Sequence, residues 1–221
     1  MKITTADQML HELTTATMNR RRMLINAGIA SAALAAPITF GKVSAQMDAT
    51  PDDVPFESPV DVLNYALTLE HLEAAFYRDG LASIGREGIT TWGYQDSVFD
   101  NLVAIGEHEA EHVAVLTQVI TDLGGMPVEE AMYDFGYEDA VGFLQVAQAL
   151  EDTGVAAYQG AAQYLIDSDE LLTAALTIHG VEARHAAYIA LLNGAVPFPA
   201  AVNPTLTPAE VLEIATPFIV S

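Results

Sequence analysis

Two Glu-x-x-His pairs, Glu109-Ala-Glu-His112 and Glu182-Ala-Arg-His185, lie within long apolar segments of helical period. A helix turns about 100° and rises about 1.5 Å per residue, so residues three apart sit about one turn apart on the same face. Each pair can therefore grip one ion. Each is preceded by another apolar segment with a solitary inward carboxylate, Glu70 in the first half and Glu151 in the second. The order Glu, Glu-x-x-His, Glu, Glu-x-x-His restricts the fold severely. Residues so far apart in sequence meet at one place only if four helices pack side by side, and bundles of that kind hold two iron or manganese ions with such a set.

The rest of the pattern supplies the helices. Ser58-Pro59 pairs a capping hydroxyl with a proline at the first helical position. Val62, Leu63, Ala66, Leu69, Leu72 and Phe76 then recur at three and four, predicting helix one from 59 to about 82. Residues 85 to 93 are expected to form a loop holding Trp92. Helix two starts near Asp96-Ser97, carries Val98, Leu102, Ile105, His112, Leu116 and Val119, and stops at Gly124-Gly125 before Pro127. Residues 126 to 137 have no sustained period and suit a long connection. Helix three runs from about 138 to 166. Asp167-Ser168-Asp169 gives a turn that also caps helix four, which continues to Asn193-Gly194. In the proline-rich tail, 195–221, Thr207-Pro208-Ala209-Glu210 is a capping box for a short helix ending near Pro217. Two tight hairpins joined by one long connection describe an all-α, ferritin-like four-helix bundle over 59–194.

Residues 1 to 45 read as an export signal of the twin-arginine type. Asn19-Arg20-Arg21-Arg22-Met23-Leu24 precedes an apolar run from Ile25 to Phe40, and Val43-Ser44-Ala45 supplies a cleavage site near Ala45. An uncleaved anchor or a buried helix is the competing reading, but Gly28, Pro37 and the many alanines make the run a poor permanent span. Residues 46–58 are a polar linker, and the mature chain has no stable membrane span. The expected location is periplasmic or extracellular. Beyond the signal the chain keeps three arginines against twenty-eight Asp and Glu, net −25, with no lysine. Such a charge repels nucleic acid and attracts cations. Cysteine is absent, so stability rests on the core rather than on disulfides.

Three strings carry a family likeness: Leu-Asn-Tyr-Ala-Leu-Thr-Leu-Glu-His-Leu-Glu-Ala-Ala-Phe-Tyr at 63 to 77, Glu-Ala-Glu-His at 109 to 112, and Ala-Leu-Glu-Asp-Thr-Gly-Val-Ala-Ala-Tyr at 149 to 158. They resemble the ferritin-like domain of desiccation-related proteins and, more distantly, rubrerythrin and ferritin. The resemblance covers about 60 to 194. It implies a four-helix bundle with Glu70, Glu109, His112, Glu151, Glu182 and His185 on the dinuclear ligand positions.

Four carboxylates in an apolar core repel one another, and two divalent cations cancel that charge. Hard oxygen donors with one imidazole per metal suit two iron ions, or manganese, and the lack of thiolates argues against structural zinc. Dioxygen or peroxide is the expected partner at such a pair, with iron(II) oxidation or peroxide removal as the reaction. The alternative is a non-catalytic stress-related or interaction scaffold on the same fold. The ligand set is compatible with a homo-oligomer and does not require a ferritin-type cage.

Neighbouring residues have competing readings. Tyr77 and Tyr158 each lie seven positions after a candidate carboxylate, where a tyrosine can relay electrons, hydrogen-bond a ligand carboxylate or simply pack. Glu73 is an alternative or added carboxylate on helix one, although the register with Glu151 favours Glu70. His71 and His179 read as packing or surface residues, and Glu107 and Glu111 as a solvated face. His108-Glu109-Ala110-Glu111-His112 also matches H-E-x-x-H, the zinc-protease pattern. That pattern leaves Glu151, Glu182 and His185 unexplained.

Overall fold

Short polar side chains decide where the helices begin. The computed structural model describes residues 56–220, so the expected export signal and most of the linker lie outside the described residues. Helix α1 (Pro59–Thr91) starts where the Ser58 hydroxyl accepts the Asp61 backbone N–H, with proline in the first turn. Helix α2 spans Asp96–Asp122. Helix α3 (Ala140–Ala161) starts where the Asp139 carboxylate accepts the N–H groups of Val141 and Gly142. Helix α4 (Asp169–Leu192) is capped by Ser168, as expected. Helix α5 (Pro208–Ala215) carries the predicted capping box between Thr207 and Glu210. The all-α architecture holds.

One boundary needs correction. The stretch from 85 to 93 is not a loop throughout: helical structure resumes after Gly85 and runs to Thr91, and Gly85 at φ 65° and ψ 171° makes the kink. Glycine adopts that conformation without steric cost. Long-range contacts hold the added turns. Ile89 is fully buried. Arg86 donates to the Asp96 carbonyl and to the Asp100 carboxylate, and its guanidinium lies 4.7 Å from the Phe99 ring centre. Trp92 follows at the helix end, partly exposed.

Helix α1 packs along α2, α3 along α4, and α1 against α3. Tyr77 of α1 bonds Glu151 of α3, while Tyr158 of α3 bonds Glu70 of α1, so α1 and α3 run antiparallel. The connection from α2 to α3 must therefore travel the length of the bundle, and it does so along α1. Asn64 bonds the backbone of Met126 and Val128, His71 Nε2 donates to the Val128 carbonyl at 3.1 Å, and Arg78 pairs with Glu130 at 2.9 Å. His71 is thus a packing residue of the crossover.

Sequence periodicity gave no strand here, yet the crossover contains one. Strand β1 (Met132–Tyr133) pairs antiparallel with β2 (Ile219–Val220), Met132 opposite Val220. Between them the tail lays α5 against α3. A Cβ built on Gly160 would lie 1.9 Å from the Leu206 carbonyl oxygen, so only glycine lets the tail approach α3 there. Among the described residues, no helix is long and apolar enough to cross a membrane.

Candidate metal centre

Each of the four long helices turns one face inward at the same level. Glu70 comes from α1, Glu109 and His112 from α2, Glu151 from α3, and Glu182 and His185 from α4. The four carboxylates have no exposed surface, and the two imidazoles are 8 % and 4 % exposed. The structure brings all six predicted residues together. They form two overlapping groups of four, Glu70, Glu109, His112 and Glu182, and Glu109, Glu151, Glu182 and His185, with the potential ligand atoms of each group within 4.8 Å of one another. Either group could hold a metal ion, and Glu109 and Glu182 belong to both.

Glu109 shows how the sharing works. Its Oε2 lies 2.9 Å from His112 Nδ1, and its Oε1 lies 2.8 Å from His185 Nδ1. His112 Nδ1 also stands 3.2 Å from Glu70 Oε2 and 3.1 Å from Glu182 Oε1. One N–H cannot serve three carboxylates. His185 Nδ1, Glu109 Oε1, Glu151 Oε2 and both oxygens of Glu182 are buried, and the close approaches of the imidazoles to them are not directed as hydrogen bonds. Leaving so many buried polar atoms unbonded costs about 1–3 kcal/mol each, and cations at the two groups would satisfy them. The donor set therefore fits hard divalent cations.

A second layer orients the first. The Tyr77 hydroxyl donates to Glu151 Oε1 and the Tyr158 hydroxyl to Glu70 Oε1, each at 2.5 Å. Both tyrosines are buried, so the bonding role holds for the pair. His108 was missed as a member of this layer. Its Nδ1 lies 2.9 Å from His185 Nε2, on the opposite side of that ring from the cluster, and the two rings stack at 5.2 Å. The H-E-x-x-H string contained the signal, but His108 supports the imidazole of another helix instead of sharing an ion with His112. Such outer partners fix ring orientation and tautomer. His179, Glu107 and Glu111 stand outside both groups, and the two glutamates are exposed as expected.

The charges are mutually dependent. Burial lowers the proton affinity of His112, but Glu109, Glu182 and Glu70 around it prevail and raise its pKa to about 12. Burial opposed by Glu109 and Glu151 leaves His185 at about 10. Burial would raise Glu109, yet its two histidines bring it down to about 2. Glu70 goes the other way, pushed up to about 7 chiefly by burial. Glu182 is driven well above the usual range, again by burial first and then by neighbouring carboxylates. Without metal, two imidazolium ions thus supply part of the positive charge the carboxylates require.

Residues 58–195 match the ferritin-like domain family. No curated protein matches the chain. The match takes in all four long helices and every residue of the buried cluster, and the chain belongs to the ferritin-like domain family.

Proposed function

We propose that this is an exported ferritin-like protein whose buried cluster holds two iron or manganese ions and supports oxidation of iron(II) or reduction of dioxygen or peroxide. The observation that carries this reading is the pair of overlapping four-donor groups that share Glu109 and Glu182. Glu70 and His112 would complete one position, and Glu151 and His185 the other. Two such ions supply one-electron redox steps and open coordination positions when bound. The protein's own residues position the donors. Tyr77 and Tyr158 hold the outer oxygens of Glu151 and Glu70, His108 fixes the ring of His185, and the surrounding apolar side chains limit water. In peroxide reduction, two iron(II) substrate ions give one electron each, and peroxide takes two electrons and two protons to yield two waters. Export is supported by the arginine-led apolar segment and small-residue site within 1 to 45, and the likeness to desiccation-related proteins by the strings at 63–77 and 149–158.

The first test is elemental analysis of protein purified without chelator, followed by iron(II) oxidation under dioxygen and under peroxide. Two iron or manganese ions per chain with turnover support the reading. Two ions without turnover favour the scaffold, and no binding after reconstitution removes the dinuclear centre.

A further inference from the structure

The two hairpins repeat the cluster with one break. Glu70 and Tyr77 recur 81 positions later as Glu151 and Tyr158, and Glu109 and His112 recur 73 positions later as Glu182 and His185. By the 81-residue offset of Glu70 and Tyr77, Glu73 corresponds to Gly154. One half carries an additional carboxylate where the other carries no side chain. Glu73 is only 3 % exposed. It makes no hydrogen bond or ion pair among the described residues, and burial first, then Glu182, Glu151, Glu109 and Glu70, disfavour its charge. A Cβ on Gly154 would meet Glu73 Oε1 at 3.1 Å and Glu182 Oε2 at 3.3 Å. The carboxylate of Glu73 therefore stands in the space that the missing side chain leaves, beside Glu182.

We propose that Glu73 is a seventh donor to the centre, serving the position of Glu109, Glu151, Glu182 and His185 and lodged there by the gap at Gly154. This rests on the dinuclear reading above. A buried carboxylate with no donor of its own is costly unless a cation satisfies it. Glu182, Glu151 and Glu109 are its strongest charged neighbours, and these three with His185 make up the second donor group. Its oxygens are not part of either four-atom group, so it reaches an ion by turning about its own side-chain bonds. The consequence is asymmetry: two positions built from equivalent first donors differ because one has an extra anionic ligand.

The test is a manganese(II) titration of the metal-free full chain by calorimetry, with unbound manganese(II) read by its magnetic resonance signal. The wild type is expected to take two ions in two distinguishable steps. E73Q keeps the shape of the side chain and removes its charge; it should retain the helical circular dichroism and one step, and weaken the other about tenfold. G154A should weaken the same step, because its methyl group displaces the Glu73 carboxylate. In the E73Q background, G154A should add little further loss. Two unchanged steps in E73Q overturn the proposal and leave the dinuclear reading standing. No binding by the wild type overturns that reading itself. A full additional loss in the double variant would assign the G154A effect to Glu182 and overturn the role of Glu73. If E73Q fails to fold, E73D takes its place, because its shorter side chain keeps the charge but withdraws the carboxylate, and an unchanged step there overturns the proposal.

Discussion

The two ends of the bundle meet the same cluster through the same device, a tyrosine on a carboxylate, but they are packed differently. On the Tyr77 side, Phe76 and Phe143 stack at 4.5 Å and 8°, with Phe135 and Tyr137 edge-on to Phe76. A Cβ on Gly80 would strike the Phe143 ring at 2.5 Å, so even the backbone is in contact there. On the Tyr158 side, Ala66, Ala157, Ala161 and Ala175 help line an apolar cavity of about 80 Å³. Tyr158 forms part of its wall, and its hydroxyl reaches Glu70. Tyr65 also lines it, with a buried hydroxyl that has no partner. Aromatic packing closes one end, whereas alanines leave room at the other. Aromatic rings fill the first end, whereas at the second the apolar cavity reaches Tyr158, whose hydroxyl bonds Glu70.

The centre shared by both ends should give the largest effect. Glu109→Ala is expected to abolish binding of both ions, because each of its oxygens faces a different histidine, whereas Glu151→Ala should lose one ion and keep its helical content. Equal stoichiometries for the two variants would contradict the shared role. Next, Phe143→Ala should destabilise the fold by about 3–5 kcal/mol, and Ala175→Leu, which fills the cavity, should change stability by less than about 1.5 kcal/mol. Thermal or denaturant unfolding that gave similar losses would break the contrast between the ends.

The pH response comes third. The folded pKa of Glu70, about 7, lies above its unfolded value, so the metal-free fold binds the extra proton and loses stability as pH rises from about 4.5 to 7. His112 and His185, raised to about 12 and about 10, contribute fully below about 6.5 and lose that contribution only as pH climbs through those values. Metal-loaded protein should show the opposite trend over 4.5 to 7, because protons compete with the ions. Unfolding midpoints of both forms across this window provide the check. The smallest effect separates the two tyrosines: each change to Phe removes one bond to a buried carboxylate, worth about 1–3 kcal/mol. Tyr158→Phe should also speed oxygen-dependent oxidation relative to Tyr77→Phe, since only Tyr158 borders the cavity. Identical oxidation rates in stopped-flow measurements would show that the cavity is not a route.

What could be read in the sequence was local. Helical period and caps at Ser58, Ser168 and Thr207 depend on neighbours within a turn or two. Glu109, His112, Glu182 and His185 were legible because the Glu-x-x-His spacing repeats, and Glu70 and Glu151 because each preceding apolar segment carries a carboxylate. The helical turns after Gly85 were not, because glycine-rich sequence favours a loop until Ile89, Arg86 and Phe99 find their partners on the folded bundle.

The sequence by itself determined four amphipathic helices, their order, and a cluster of carboxylates and imidazoles on their inner faces, since these follow from periodicity along one strand of chain. Only the tertiary structure decided that Met132 pairs with Val220, that His108 supports His185, and that Glu73 faces Gly154. It also decided which end of the bundle keeps a cavity. Each of these depends on how far apart two backbones settle after packing, a distance set jointly by side chains from several helices.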